Sequence, residues 1–237
     1  MVLSKEEFLA DNTSYAFEQL DLKLKEFLNS PNGVFIEAGA NDGIRFSNTK
    51  IFEDLFGWTG LLIEPSPGIV DLCRSNRKNS IVVHGALVED NGVNTVKGDF
   101  DGGLMSSING VRNRRGLVGI LKTHFRKSNL VSVPAFTLND VLYSHGFKDV
   151  DFFSLDVEGF ELQVLQGLDF NKYRPHFLLV EVYQYQKKSI FNLMDNNHYR
   201  LVENMTNFSK ETHPQWDGLH DDYLFVDEKA KWIDELS

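Results

Sequence analysis

Cysteine is almost absent from this 237-residue sequence, which contains Cys73 alone. An intramolecular disulfide and a cysteine-based metal cluster are therefore excluded, and we expect Cys73 to be a small packed hydrophobe in a reducing compartment. No apolar run approaches the roughly 18–20 residues that a membrane-spanning helix needs. The first residues also lack the basic start and apolar stretch of a secretory signal, so the sequence predicts a soluble, cytoplasmic protein without a membrane partner.

Positive charge is scarce, with 24 Lys and Arg against 34 Asp and Glu and a net charge of −10. Such a field repels polyanions, so we do not expect nucleic acid as a partner. Acidic residues are missing between Asp101 and Asp140, where several basic residues fall. The window is either a solvated face or a basic flap over an anionic acceptor, and we place a substrate flap at 98–133. Its candidate acceptor contacts are Arg112, Arg115 and His124.

Repeats, low-complexity tracts and Pro/Gly/Ser linkers are also missing, which favours one domain over 1–237 that opens with a helical segment at 1–33. Short, wholly apolar runs alternate with helical patterns along the rest of the chain. This alternation predicts an α/β fold with a mostly parallel sheet and helices on both faces. The expected strands are 34–36, 60–63, 80–84, 151–155 and 176–182, followed by an antiparallel pair at 199–203 and 223–226.

Two carboxylates stand at the ends of successive predicted strands. Glu37 precedes a turn that contains Gly39 and Gly43, and Glu64 ends the next strand. Ligands of open parallel sheets bind beyond the carboxyl ends of the strands, where a carboxylate can accept hydrogen bonds from both ribose hydroxyls. After the third strand, Ala86 and Leu87 are small and apolar, as the face of an adenine requires. The pattern predicts a nucleoside-type cofactor.

The glycine turn also discriminates between cofactors. Gly39 and Gly43 form G-x-x-x-G, which lacks the middle glycine of the dinucleotide sequence G-x-G-x-x-G. Glu37 and Asp42 would repel a pyrophosphate, whereas a cofactor with a cationic sulfonium and ammonium tolerates them. We therefore expect S-adenosylmethionine rather than NAD.

Five segments, found in the same order along the chain, resemble the FkbM-like methyltransferases, and the final DDYLFV resembles the last strand of that family. The most specific of them is LDVEG-E-x-x-V-L-x-G. The resemblance implies a class I methyltransferase (Rossmann-like) fold with seven strands, the last of them antiparallel. It also implies methyl transfer to a hydroxyl, commonly of a sugar or glycan, with a small natural product as an alternative acceptor. The segments are VFIEAGANDGIRFSNT (34–49), LLIEPSP (61–67), HGAL (84–87), FTLNDVL (136–142) and DFFSLDVEGFELQVLQGLDF (151–170).

The same resemblance assigns site residues at the matching positions. Glu64 would hold the ribose, Ala86 and Leu87 would border the adenine, and Asp156 would lie beside the transferring methyl. The methionine part would be cradled by Glu37, Gly39, Ala40, Asn41 and Gly43.

A sugar hydroxyl is a poor nucleophile until a base draws its proton away. Asp156, Glu158 and Glu181 are the candidate bases, since they follow predicted strands at the cofactor mouth, and Tyr183 is a candidate for the acceptor pocket. Glu158 could instead begin the next helix, where the helix dipole favours a carboxylate. The same three carboxylates could also bind a Mg²⁺ that lowers the pKa of a sugar hydroxyl.

Two rival functions remain open. An RNA 2′-O-methyltransferase is suggested by the basic flap and by Asp156, Lys187, Lys188 and Glu203, although the acidic total counts against it. The absence of N-P-P-Y or D-P-P-Y after the fourth strand argues against methylation of base amino groups. The second rival is a binding protein that keeps the cofactor fold without catalysis.

Overall fold

A seven-stranded sheet forms the centre of the protein in the computed structural model, which describes residues 2–100, 130–211, 213–214 and 218–230. The strand order is β3-β2-β1-β7-β8-β10-β9. Strands β1, β2, β3, β7 and β8 pair in parallel, whereas β10 is antiparallel to both of its neighbours. The seven strands are β1 (Val34–Ala38), β2 (Thr59–Glu64), β3 (Ile81–His84), β7 (Phe152–Leu155), β8 (Phe177–Tyr183), β9 (Tyr199–Asn204) and β10 (His220–Asp227).

Helices cover both faces of this sheet, as the wholly apolar strands require. The first four helices, α1 to α4, pack on one face of the sheet and form one core layer with it. The last three, α5 to α7, pack on the opposite face and form the other layer. Alternation along β7 places Phe152 in the first layer and Phe153 in the second, both fully buried. The expected α/β class with helices on both faces is confirmed. The helices are α1 (Lys5–Ala10), α2 (Leu20–Leu24), α3 (Lys50–Phe56), α4 (Pro67–Asn76), α5 (Leu138–His145), α6 (Glu161–Gln166) and α7 (Lys187–Asn196).

The opening segment contains less helix than its pattern predicts. Helical residues between α1 and β1 are limited to a 3₁₀ turn at Phe17–Gln19 and to α2. The reason is the buried carboxylate of Asp21, which accepts hydrogen bonds from the hydroxyl of Ser14 and the backbone N–H of Tyr15. The chain before α2 folds around this side chain instead of continuing as a helix.

A second, three-stranded sheet has the order β4-β6-β5 and comprises β4 (Ala86–Leu87), β5 (Thr95–Gly98) and β6 (Val131–Phe136). Strands β5 and β6 are antiparallel and flank the predicted flap at 98–133. Most of the flap, with Arg112, Arg115 and His124, lies outside the described residues.

The parallel strands bring the ends of β1, β2, β7 and β8 to one edge of the sheet. Backbone bonds fix this edge: Gly39 N–H donates to Ile63 O, and Asp156 N–H donates to Ala38 O. The loops after these strands therefore meet at one place. No helix in the described ranges is long and apolar enough to cross a membrane.

Candidate functional site

A cleft opens at this edge of the sheet, between the loops that follow β1, β2 and β7. It lies beyond the carboxyl ends of β1, β2 and β7, where the sequence places the cofactor. Among the predicted site residues, those that line the cleft are Gly39, Ala40, Asn41, Glu64, Ala86, Leu87, Asp156 and Glu158.

Gly39 determines how closely the loop after β1 approaches the loop after β7. A Cβ built on this residue would lie 1.8 Å from the carbonyl oxygen of Asp156, and its φ of +84° disfavours other residues. Only glycine therefore lets the loop after β1 contact the loop after β7. This contact places Asp156 beside the glycine turn.

Glu64 is a buried carboxylate that binds two loops while lining the cleft. Its Oε2 accepts the N–H of Asn41 at 2.8 Å, and its Oε1 accepts the N–H of Ser66 at 2.7 Å. Burial raises the pKa of Glu64, and the two N–H donors oppose that shift. Each oxygen keeps a further lone pair for a ligand donor.

Glu37 and Gly43 do not line the cleft, although the sequence placed both against the cofactor. Glu37 lies behind the glycine turn and accepts hydrogen bonds from Ser47 Oγ at 2.8 Å and Thr49 Oγ1 at 2.7 Å. The guanidinium of Arg77 lies 3.3 Å from the same carboxylate and donates to Gly43 O at 3.1 Å. The buried charge of Glu37 is therefore paired with Arg77 and shapes the loop from behind.

Apolar residues form the wall of the cleft after the third strand. Ala86 and Leu87 are 5% and 3% exposed and line the cleft with Ile69 and Phe100. The backbone of this wall is held by β6, since Ala86 and Leu87 pair with Ala135 and Phe136.

Three carboxylates gather where β7 and β8 end, and they are not the three that the sequence predicted. Asp156, Glu161 and Glu181 each offer one ligand atom within 4.8 Å of the others, with Glu161 in the position proposed for Glu158. Asp156 is exposed to the cleft, while Glu161 and Glu181 are 0% and 6% exposed. The Nδ1 atom of His220 lies 3.0 Å from Glu181 Oε1.

Crowding and burial disfavour the charged forms in this cluster. Burial raises the pKa of Glu161 to about 8. It also raises the pKa of Glu181 well above its ordinary value, with the charges of Asp156 and Glu161 adding to the shift. Loss of water to the surrounding protein raises the pKa of Asp156 too, despite its opening to the cleft. Perturbed carboxylates of this kind concentrate at functional sites.

Glu158 lines the cleft but is not one of the three clustered carboxylates. Its φ of +56° and that of +93° at Gly159 form a turn after β7, and α6 begins only at Glu161. The idea that Glu158 begins the helix is therefore wrong, and Glu161 is the acidic residue in the first turn. Tyr183, which is buried and does not line the cleft, donates its hydroxyl to Glu158 Oε2 at 3.1 Å.

Arg45 and Phe46 lie at the mouth of the cleft, and the sequence analysis predicted neither of them as a site residue. Phe46 is 44% exposed with a φ of +63°, and its ring contacts the Arg45 guanidinium at 4.9 Å and the Phe17 ring at 5.7 Å. A bulky residue in this region of φ is rare and concentrates at functional sites. Both residues stand in the matched segment 34–49, but only the folded loop turns Phe46 toward the cleft.

The sheet order and the cleft at its carboxyl edge define a protein of the class I methyltransferase fold. A family model described as "Methyltransferase FkbM domain" matches residues 37–206, which is more than half of the chain. The chain therefore belongs to the FkbM methyltransferase domain family. This membership supports the S-adenosylmethionine-dependent methyltransferase class that the sequence resemblance implies.

Solved structures with a similar fold are distant in sequence. Fibrillarin from Aeropyrum pernix, in complex with natively bound S-adenosyl-L-methionine, is 14% identical over 83% of this chain and 67% of that one, with a TM-score of 0.46. A precorrin-6y C5,15-methyltransferase from Geobacter metallireducens is 9% identical over 88% and 87%, with a TM-score of 0.48. A TehB-like methyltransferase from Corynebacterium glutamicum is 10% identical over 94% of each chain, with a TM-score of 0.43. A search of curated proteins found no match.

Proposed function

We propose that this protein is an S-adenosylmethionine-dependent O-methyltransferase that methylates a hydroxyl of a sugar or glycan. The observation that carries the proposal is the position of Asp156. It opens onto the same cleft that Gly39 and Glu64 line, so a proton-accepting carboxylate faces the predicted cofactor space.

The parts of the cofactor would bind along the cleft at successive strand ends. Glu64, with lone pairs left beyond its two backbone bonds, would hold the ribose hydroxyls. Ala86 and Leu87 would border the adenine, and the glycine turn would admit the methionine part. The cofactor supplies an electrophilic methyl group when it is bound.

The chemistry of the acceptor follows from the carboxylates. A hydroxyl in line with a methyl donor reacts when a base removes its proton, and positioning supplies much of the remaining acceleration. Asp156 would accept that proton, since its side chain is exposed to the cleft and burial raises its pKa, which makes it a stronger base than an ordinary carboxylate. Glu181 is buried and its carboxylate lies within 4.8 Å of that of Asp156.

The mouth of the cleft carries an exposed aromatic ring, Phe46, which is 44% exposed. The face of such a ring can pack against the C–H groups of a sugar. The Arg45 guanidinium beside it can donate to ring hydroxyls or to an anionic substituent.

The proposal is tested by transfer of a labelled methyl group to separate pools of glycans, nucleotide sugars, small natural products and capped RNA. We expect label in the sugar pools, and calorimetry should show binding of S-adenosylmethionine.

Asp156→Asn should lower turnover by about 10²–10⁴-fold while cofactor affinity changes little. Asp90→Asn, on an exposed loop, is the matched control. Label in RNA alone, or unchanged turnover of Asp156→Asn, would reject the proposed acceptor or the proposed base.

A further inference from the structure

We propose that Asp156, Glu161 and Glu181 form a binding site for a divalent cation at the inner end of the cleft. The role of such a cation in catalysis depends on the O-methyltransferase proposed above, whereas its binding does not. The set differs from the one expected from sequence, because Glu161 takes the place of Glu158.

Two buried oxygens carry the inference. Glu161 Oε2 and Glu181 Oε2 have no hydrogen-bond partner among the described residues. Glu161 is 0% exposed and Glu181 is 6% exposed, so water does not reach them freely. Buried carboxylate oxygens without a partner are costly, and a missing ion is one of the recognised explanations.

In each of the two glutamates the other carboxylate oxygen, Oε1, already has a partner, and this contact orients Oε2. Glu161 Oε1 accepts the N–H of Val157 at 3.0 Å and of Gly159 at 2.9 Å. Glu181 Oε1 lies 3.0 Å from His220 Nδ1. These contacts fix both carboxylates in place, as the outer groups of metal sites do for their ligands.

No lysine or arginine in the described ranges does for this cluster what Arg77 does for Glu37, and its nearest basic group is the imidazole of His220. Arg77 pairs with Glu37 and Glu53, and Arg174 pairs with Asp227. No described Lys or Arg forms an ion pair with Asp156, Glu161 or Glu181. A cation that enters from the cleft past Asp156 would supply this missing positive charge, and its binding would displace any protons that the carboxyls carry.

The spacing suits hard cations with oxygen ligands. Two oxygens on one ion are separated by at most about 5.2 Å for Ca²⁺ and about 4.2 Å for Mg²⁺. The three ligand atoms lie within 4.8 Å of one another, so one ion can reach them after small side-chain movements. A cation there would bind the acceptor hydroxyl beside Asp156 and lower its pKa.

The test is calorimetric titration of Mg²⁺, Mn²⁺ and Ca²⁺, each alone, into the full chain without cofactor or acceptor. We expect saturable binding with a dissociation constant below about 1 mM for at least one ion. Glu161→Gln and Glu181→Gln should each weaken it by at least roughly 10- to 100-fold, while Glu203→Gln, on the exposed face of β9, should bind as the unaltered protein does.

Circular dichroism and S-adenosylmethionine binding establish that each variant is folded. If a glutamate variant does not fold, Asp156→Asn replaces it in the comparison, since that side chain is exposed. No saturable binding of any of the three ions up to about 10 mM, or undiminished binding in the folded variants, overturns the site. The cation can fail to bind while methyl transfer persists, so the two proposals are separable.

Discussion

Arg77 is the residue on which the site's buried framework depends most. It is 1% exposed, and its Nε lies 2.8 Å from Glu53 Oε2 while its Nη2 donates to Thr49 Oγ1 at 2.8 Å. Its Nη1 pairs with Glu37. One guanidinium therefore neutralises two buried carboxylates, Glu37 from β1 and Glu53 from α3. A planar group with several donors can do this, and lysine cannot.

Removing this guanidinium should destabilise the protein strongly, because it leaves two buried carboxylates uncompensated. We expect Arg77→Met to lower the free energy of unfolding by about 3–5 kcal/mol in urea titrations. Arg74→Met is the control, since its pair with Asp71 is exposed at both ends and should contribute less than about 1 kcal/mol. Equal losses in the two variants would contradict the account of Arg77.

Among the elements, the starts of β1, β7 and β8 are connected by Asp151, which directly precedes β7. Its Oδ2 accepts the N–H of Val34, the first residue of β1, at 2.7 Å, and its Oδ1 lies 3.2 Å from Nδ1 of His176, the residue before β8. Burial acts to raise the pKa of Asp151, but the hydrogen bonds from His176 and Val34 outweigh it and hold the pKa below 3.8.

A carboxyl whose pKa is lowered by folding stabilises the folded state above its unfolded pKa. That stability is lost as the pH falls through the lower, folded pKa. We therefore expect Asp151→Asn to reduce the free energy of unfolding at neutral pH by less than roughly 1 kcal/mol, since the pair is partly exposed. The difference should shrink as the pH falls below 3.8. Asp149→Asn, exposed two residues earlier, should show no such trend.

Elements with local signals could be predicted from sequence, and those fixed by distant contacts could not. Helix α5 begins after Thr137, whose hydroxyl accepts the N–H of Asp140, and a threonine before an apolar helical pattern is a local signal for a helix start. The role of Glu37 depends on Arg77, forty positions away, and no local pattern contains that pairing. Glu161 was missed because the left-handed backbone at Glu158 delays the helix, and sequence periodicity does not reveal that turn.

At the scale of the whole molecule, two apolar layers share one sheet. The layers meet across β8, where Leu178 packs with α5 to α7 and Leu179 packs with α1 to α4. Both residues are almost fully buried, at 0% and 1% exposed. A shared sheet with a core on each face favours cooperative unfolding, in line with the single domain that the sequence predicts.

Leucine-to-alanine substitutions can test whether the two layers unfold together. We expect Leu178→Ala and Leu179→Ala each to lower the free energy of unfolding by about 2–5 kcal/mol, since each leaves a cavity in a packed layer. Leu72→Ala, at a residue that is 56% exposed, should change it by less than about 0.5 kcal/mol. The urea midpoints from far-ultraviolet circular dichroism and from the fluorescence of Trp58, measured with Trp216 and Trp232 replaced by phenylalanine, should coincide in every variant, because Trp58 reports on one layer and the helices on both. Midpoints that separate in Leu178→Ala alone would show that the layer with α5 to α7 unfolds by itself and that the chain is not one cooperative unit.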